Sequence, residues 1–574
     1  MRLNSYFCVR LLTEYMQLMA YLCKKNFVMK YIHSLTLCTL LLMMMLPLTV
    51  QAQERLLVFT DPHLLSPALV VNPGQPYTDA VNSNNKMFDL SAPIMQAMVD
   101  TILAIRPTAV LVSGDLSKDG ERRSHQDMAA YLSQLRQAGI GVYVIPGNHD
   151  ANSDEARGYY GSSTRKVPTP NSTEFATIYA DMGYNQALER DNNSLSYLAE
   201  PIPGLWLIAV DDNMTVQRDA NRSIEANGIS LSTRNWILAK ADQGRSLGKQ
   251  VMVMMHHQLV EHFDDQDRLV GDATVTDAAT LRQELINHGI RLVLTGHMHI
   301  GNITTQFNDA RTDSLVEVTT GSPLTYPCQF RLIDVAPDRG TFGISTGQLE
   351  HIQDIPDLQA YALERFKGST RSTVSSVVYH SWDELMAAIN QYSSYIGEVN
   401  FTQEQATEAI YNAFKDEIER LMVALAQGNE PTRNVQGLRN AMFNKVGTLV
   451  DQLLPNLNFL ARLVVVPMIQ SQLESMLGKA LDSILTDCNH YGTSLAHVTD
   501  DLTPVLHFPP IDVSKPGDIN GDGTLDVTDV NIIINILLGK DSAEHYSGNC
   551  DLNGDHTIDV VDANIAINLM LSKR

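Results

Sequence analysis

Between Arg55 and about Gly347 the chain alternates short apolar runs with amphipathic stretches, a rhythm that points to an α/β sheet protein. The first six runs are Leu56–Thr60, Ala109–Ser113, Val142–Pro146, Leu205–Val210, Val251–Met255 and Arg291–Thr295. Each is apolar on both faces and too short for an ordinary helix, as suits a strand covered on both sides. Between runs, Ile94–Ile105 and His125–Ala138 read as helices, the second stopped by Gly139. Leu315–Thr319 and Phe330–Val335 follow without clear intervening helices and suggest added antiparallel strands.

Five of the six runs stop on side chains that can bind metal. Asp61-Pro62-His63 follows the first, Gly114-Asp115 the second and Gly147-Asn148-His149-Asp150 the third. His256-His257 follows Val251–Met255, and Gly296-His297-Met298-His299 follows Arg291–Thr295. A lone histidine pair is more often surface or satisfied core than a ligand, and a lone Gly-Asp is often only a turn. Ligands of α/β sheets sit beyond the carboxyl ends of strands, so all five clusters should converge in space. Carboxylates, imidazoles and one amide oxygen, without thiolate, make a mixed N/O set suited to Mn, Fe, Zn or similar divalent ions.

Taken in order, D-x-H, G-D, G-N-H-[DE], H and G-H-x-H, these motifs resemble the calcineurin-like metallophosphoesterase superfamily over roughly residues 53–347. The resemblance implies an α-β-β-α sandwich flanked by helices and a two-metal site. It would place Asp61, His63 and His299 on one ion, Asn148, His256 and His297 on the other, and Asp115 between them. His256 is preferred to His257 because the family's ligand is the first residue after the strand's last apolar position; His257 is then a supporting or substrate-facing neighbour. Two such ions, about 4 Å apart, clamp the attacking and leaving oxygens of an in-line displacement and make a hydroxide at neutral pH. His149 would assist the leaving alkoxide, with Asp150 orienting its imidazole. Asp61-Pro-His63-Leu64 and Gly114-Asp-Leu-Ser-Lys-Asp-Gly120 look most like the branch that contains bacterial cyclic-nucleotide phosphodiesterases. The polar insertion from about Ala151 to Thr173 is long for the family and reads as a solvated loop or an access element.

A second constellation lies at the C-terminus. Asp518, Asn520, Asp522, Thr524, Asp526 and Asp529 occupy positions 1, 3, 5, 7, 9 and 12 of a calcium loop. Asp551, Asn553, Asp555, Thr557, Asp559 and Asp562 repeat it 33 residues later. Each loop leads into an apolar helical stretch, Val530–Leu538 and Ala563–Leu571. The pair resembles a dockerin type I domain over about residues 516–574. That implies bound Ca²⁺ and a cohesin-like partner met through Val527, Thr528, Val560 and Val561, although an intramolecular or purely structural role is an alternative. His556 replaces the glycine of position 6, where a sharp turn is needed, and weakens the second site.

At the other end, Lys24, Lys25 and Lys30 precede the apolar run Leu35–Val50 and the small-residue site Val50-Gln51-Ala52. This is the order of a secretory signal, with an uncleaved anchor as the alternative. Removing residues 1–52 leaves Cys328, Cys488 and Cys550, so at most one internal disulfide can form. A formal charge of −23 excludes a broad nucleic-acid-binding face, though not a small phosphorylated substrate.

The expected organisation is a leader over 1–52, a metallophosphoesterase domain over 53–350 and a mainly helical region over 355–500. A proline-rich linker over 501–515 and the dockerin-like module over 516–574 complete it. Thr402 to Gln405 reads as a capping box, Gly428 as its helix's stop, and Pro455 and Pro467 as breaks in later helix. The functional expectation is an exported dinuclear-metal phosphodiesterase acting on a small phosphoester. A phosphomonoesterase and a metal-retaining, non-catalytic scaffold are the alternatives.

Overall fold

A computed structural model describes residues 17, 54–83, 85–271, 273–308, 313–336, 339–391, 401–428, 437–486, 495–497, 501–508, 517, 519, 525–543, 550–553 and 557–572. The expected leader lies outside these residues, save Gln17, as do Asp518, Asn520, Asp522, Thr524, Asp555, His556 and Cys488. Cys328 and Cys550 are both buried.

The strands, in chain order, are β1 (Glu54–Phe59), β2 (Val70–Pro73), β3 (Ala109–Val112), β4 (Gly141–Val144), β5 (Arg157–Gly161), β6 (Ser163–Lys166), β7 (Glu189–Arg190), β8 (Tyr197–Ile202) and β9 (Leu205–Ala209). They continue with β10 (Gln250–Met254), β11 (Leu292–Thr295), β12 (Asn302–Phe307), β13 (Ser314–Thr319), β14 (Gln329–Val335), β15 (Thr341–Gln348), β16 (Leu495–His497) and β17 (Val505–His507). One sheet runs β17-β15-β14-β1-β3-β4 and a second runs β16-β12-β13-β11-β10-β9-β8-β7. In the first, β1, β3 and β4 are parallel; in the second, β9, β10, β11 and β13 are parallel.

Side chains alternate between faces along a strand, and the second sheet uses both faces. Leu205, Leu207, Ala209, Met252, Met254, Leu292 and Leu294 enter the main core shared with β1, β3 and β4. Trp206, Ile208, Val251, Val253 and Val293 enter a separate core with the helices Leu231–Ser246 and Ala278–Asn287. The runs therefore read as apolar on both faces because each face meets a different layer. Helices Ser91–Ile105 and Arg122–Gln137 pack into the main core. The result is a two-sheet sandwich with helices, followed by a helical region and a small C-terminal domain.

Three expectations change here. Leu315–Thr319 lies parallel to β11 and antiparallel only to β12, because β12 supplies the return strand that the sequence pattern concealed. The stretch 151–173 is not a plain loop: β5 and β6 form a hairpin, and β2 pairs parallel with β5. The stretch 501–515 does not start as a linker. β17 pairs with β15, just as β16 pairs with β12, so the chain returns from the helical region to extend one edge of each sheet.

The helical region contains Leu358–Gly368, Thr370–His380, Trp382–Asn390, Gln403–Gln427, Leu438–Asn444, Val446–Leu453 and Phe459–Thr486. Thr402 caps the long fourth helix through a complete capping box with Gln405, and Gly428 ends it at φ +69°. Pro455 separates two helices, whereas Pro467 is carried inside the last one. This region rests on the segment after His257: Phe263 packs into its core and Asp264 N donates to Ser483 Oγ at 2.8 Å.

In the C-terminal domain the helices Val527–Leu537 and Val560–Ser572 share a core of Ile519, Val530, Ile533, Leu552, Ala563 and Ala566. The repeat is visible as repeated bonds. Asp529 Oδ1 accepts from Ile519 N and Asp562 Oδ1 from Leu552 N, each at 2.7 Å. Asp529 Oδ2 accepts from Asp526 N at 2.9 Å and Asp562 Oδ2 from Asp559 N at 2.8 Å. In both halves the last loop position folds back onto its own loop and is fully buried.

Candidate metal centre

Every candidate ligand follows the carboxyl end of a parallel strand. Asp61 and His63 follow β1, Asp115 follows β3, and Asn148 follows β4; His256 follows β10, and His297 and His299 follow β11. The loops are held together beyond the strands by Asp61 N to Gly114 O, 3.1 Å, and His63 N to Asp115 O, 2.9 Å. Gly296 N to His256 O, 3.0 Å, does the same in the second sheet. Asp61, His63, Asp115, His297 and His299 all take left-handed backbone, φ +35° to +68°. That conformation costs L-residues about 1 kcal/mol or more each and is retained where packing over-determines it. Glycines make room: a Cβ on Gly147 would lie 2.2 Å from Asp115 Oδ1, and one on Gly114 2.4 Å from His256 Nδ1.

The donors fall into two groups. His63 Nε2 lies 3.1 Å from His299 Nε2, which is 3.1 Å from Asp61 Oδ1. Asn148 Oδ1 lies 3.0 Å from His256 Nε2 and 3.1 Å from His297 Nδ1. Asp115 Oδ2 is 3.5 Å from both His63 Nε2 and His256 Nε2, so one carboxylate oxygen stands between the groups. Asp61, His63, Asp115 and His299 form one cluster with ligand atoms within 4.8 Å of one another. His256, His257 and His297 form a second.

Electrostatics prepares these donors. Burial alone would raise the carboxyls of Asp61 and Asp115, but the neighbouring His299 and His256 hold them below the ordinary range. Burial, joined by Lys86 at His63 and by His257 at His297, keeps those two imidazoles well below their usual value and hence neutral. Against its own burial, His256 is pushed up to about 10 by Asp115. Ionised carboxylates, the neutral imidazoles of His63, His297 and His299, an amide oxygen, and His256, which gives up its proton when it ligates, fit divalent ions of the Mn, Fe or Zn type. His256 is already aimed by its other nitrogen, Nδ1, 2.8 Å from Ser113 O.

The partner of His149 corrects the sequence reading. Asp150 is fully buried and turned away, accepting from Gly147 N, Leu116 N and Ser117 N at 2.9–3.0 Å. It cannot orient the imidazole because its oxygens hold the two loops together. Asp119 does so instead: its Oδ1 is 3.1 Å from His149 Nδ1. Against burial, His149 and Lys118 lower the Asp119 carboxyl, so it is ionised at neutral pH. His149 packs edge-on against His63, ring centroids 5.0 Å apart, with its side chain 34% exposed.

His257 is fixed by Asp212, whose Oδ2 accepts from His257 N at 2.7 Å and lies 3.2 Å from Nδ1. Sequence reading missed Asp119, Asp212 and Lys86. Asp119 stands four residues beyond Asp115 in the stretch Gly114–Gly120, and Asp212 follows the fourth run, Leu205–Val210, as Asp211-Asp212-Asn213. Both could have been found by treating every strand end alike. Lys86, with Nζ 2.9 Å from His63 Nε2, had no signal, since no motif surrounds it.

Residues 54–301 match the family model described as calcineurin-like phosphoesterase, and residues 516–571 match the dockerin type I domain. Among solved structures, a dimetal phosphatase from Danio rerio is similar at 12% identity and TM-score 0.36, covering 51% of this chain and 96% of that one. A purple acid phosphatase, PPD1, from yellow lupin (Lupinus luteus) seeds is similar at 11% identity and TM-score 0.35, covering 53% of each chain. No curated protein matches the chain. The strand-end motifs thus fall within the match to the calcineurin-like phosphoesterase model, and the repeated loop–helix units within the match to the dockerin type I model.

Proposed function

We propose that the chain is an exported phosphodiesterase with a dinuclear metal centre and a calcium-ordered docking module. The position of Asp115 carries this reading, since its Oδ2 stands 3.5 Å from one nitrogen of each donor group. Asp61, His63 and His299 would hold one divalent ion, Asn148, His256 and His297 the other, with Asp115 shared. Such a pair supplies Lewis-acid charge for phosphoryl oxygens and lowers the pKa of an attacking water. The chain's own part is to place a proton at the leaving oxygen. His149 reaches the exposed side of the centre while Asp119 holds its Nδ1, leaving Nε2 to donate. Asp212 fixes the His257 ring beside the second group, against His297.

Diester preference is supported by the Asp61-Pro-His63-Leu64 and Gly114–Gly120 stretches and their resemblance to the phosphodiesterase branch. Export is supported by the N-terminal pattern of basic, apolar and small residues and by the presence of a dockerin domain. At the C-terminus, Val527, Val560 and Val561 are 60%, 64% and 43% exposed, which suits a cohesin-like partner. The test is hydrolysis of bis-p-nitrophenyl phosphate and p-nitrophenyl phosphate side by side with Mn²⁺ or Zn²⁺. An Asn148→Ala, His256→Ala variant is the blank. Metal-dependent diester cleavage that the variant lacks is expected. Preference for the monoester refutes the phosphodiesterase assignment, and metal retention without any cleavage refutes the enzymatic one.

A further inference from the structure

Lys86 is not part of any motif, yet its partly buried side chain ends in the centre. Its Nζ lies 2.9 Å from His63 Nε2, the atom that also lies 3.1 Å from His299 Nε2 and 3.5 Å from Asp115 Oδ2. The backbone beside it is anchored. Met87 is fully buried and its N–H donates to Leu324 O at 3.0 Å, while the Phe88 ring packs edge-on against His63, centroids 6.2 Å apart. Phe88 also lies beneath a second ammonium, Lys118 Nζ at 4.9 Å, with Lys86 Nζ at 5.9 Å. Lys118 is paired with Asp119, the residue that orients His149. Two cations thus flank the His63–His149 pair in a chain whose net charge is −23.

One imidazole nitrogen serves one cation at a time. An ion that coordinates His63 Nε2 therefore takes the place of the ammonium, which swings aside on its four-carbon stem. The anchored backbone, held by Met87 N to Leu324 O, limits how far from that ion it can move. An ammonium there meets a phosphoryl oxygen without a second desolvation, since it is already within the centre.

The geometry points to Lys86 as a substrate-binding residue that contacts a non-bridging oxygen of the phosphoryl group, adding a charge to those of the metal ligands' ions. This rests on the phosphoesterase reading above, and the experiment separates the two. Inorganic phosphate is titrated into the Mn²⁺-loaded full chain, and Mn²⁺ into the metal-stripped chain, for wild type, Lys86→Met and Lys86→Arg. Losing one charge-assisted contact should weaken phosphate binding of Lys86→Met about 10- to 100-fold. Lys86→Arg should stay within a few-fold of wild type, and Mn²⁺ should bind Lys86→Met at least as tightly, its competitor for His63 being gone. Unaltered phosphate affinity in Lys86→Met, phosphate binding absent from wild type, or weakened Mn²⁺ binding each overturns the proposal. Equal loss in Lys86→Met and Lys86→Arg does the same, since it marks a packing role. Hydrolysis is read separately. A chain that cleaves neither ester but shows the phosphate difference keeps this lysine site and loses the hydrolase; normal cleavage with unaltered phosphate binding does the reverse.

Discussion

Replacing Asp119 with Asn removes a charge while keeping an oxygen where His149 Nδ1 meets it, at 3.1 Å. A hydrogen bond to a charged group contributes about 1.5–3 kcal/mol. Lys118 already pairs with the same carboxylate, and the His149 side chain is 34% exposed, so solvent and the lysine both weaken the coupling. The lower end applies: about 1.5 kcal/mol, or roughly a tenfold loss of turnover. If His149 donates the proton to the leaving oxygen, the loss should depend on the leaving group. It should be largest for diphenyl phosphate and smaller for bis-p-nitrophenyl phosphate, whose leaving group needs less protonation. Metal content, measured by elemental analysis, should stay at the wild-type level because Asp119 is bonded to none of the proposed ligands' side chains. Asp150→Asn should behave differently, lowering thermal stability, because that carboxylate holds three backbone N–H groups. An Asp119→Asn enzyme that turns over diphenyl phosphate normally, or that loses metal, refutes the assignment of Asp119 to His149.

Two further outcomes are expected. A chain ending at residue 510 should keep wild-type metal content and a single thermal transition. One ending at residue 350 should aggregate on size-exclusion chromatography, because it lacks β16, β17 and Asp501, whose Oδ1 accepts from Ile303 N at 2.7 Å. Equal behaviour of the two truncations would refute the closing role of 495–507. Burial pushes His125 down to about 4, against the Asp150 carbonyl 2.8 Å from its Nε2. The native state therefore binds fewer protons than the unfolded chain between pH 6.5 and 4, and stability from this group, complete above pH 6.5, is lost as pH falls through 4. The loss is about 3 kcal/mol. His125→Gln should flatten that part of a denaturation-versus-pH curve, and an unchanged slope would refute it.

The metal-capable set was legible because each member is local: a short apolar run, then a donor at its end. The same holds for the capping box at Thr402 and for the apolar helices that repeat at the C-terminus. The errors arose where a residue's role depends on a distant segment. Asp150 sits next to His149 in the chain, but a sharp turn sends its carboxylate down to Leu116 and Ser117. Asp119 reaches the imidazole from another loop, 30 residues away. The insertion after Ala151 looked like a loop because its strand partner, β2, lies more than 80 residues earlier.

The sequence by itself determined the alternation of strands and helices, the order of the donors along the chain and the repeated acidic loops. Period, residue type and spacing are properties of neighbouring residues, and those suffice for such features. Only the tertiary structure decided that one oxygen of Asp115 stands equally far from His63 and His256, and that Asp119 rather than Asp150 serves His149. It also decided that Lys86 reaches His63 and that residues 495–507 extend both sheets. These depend on how two sheets meet at their carboxyl ends and on registers set hundreds of residues apart, where no local pattern records which side chain will face which.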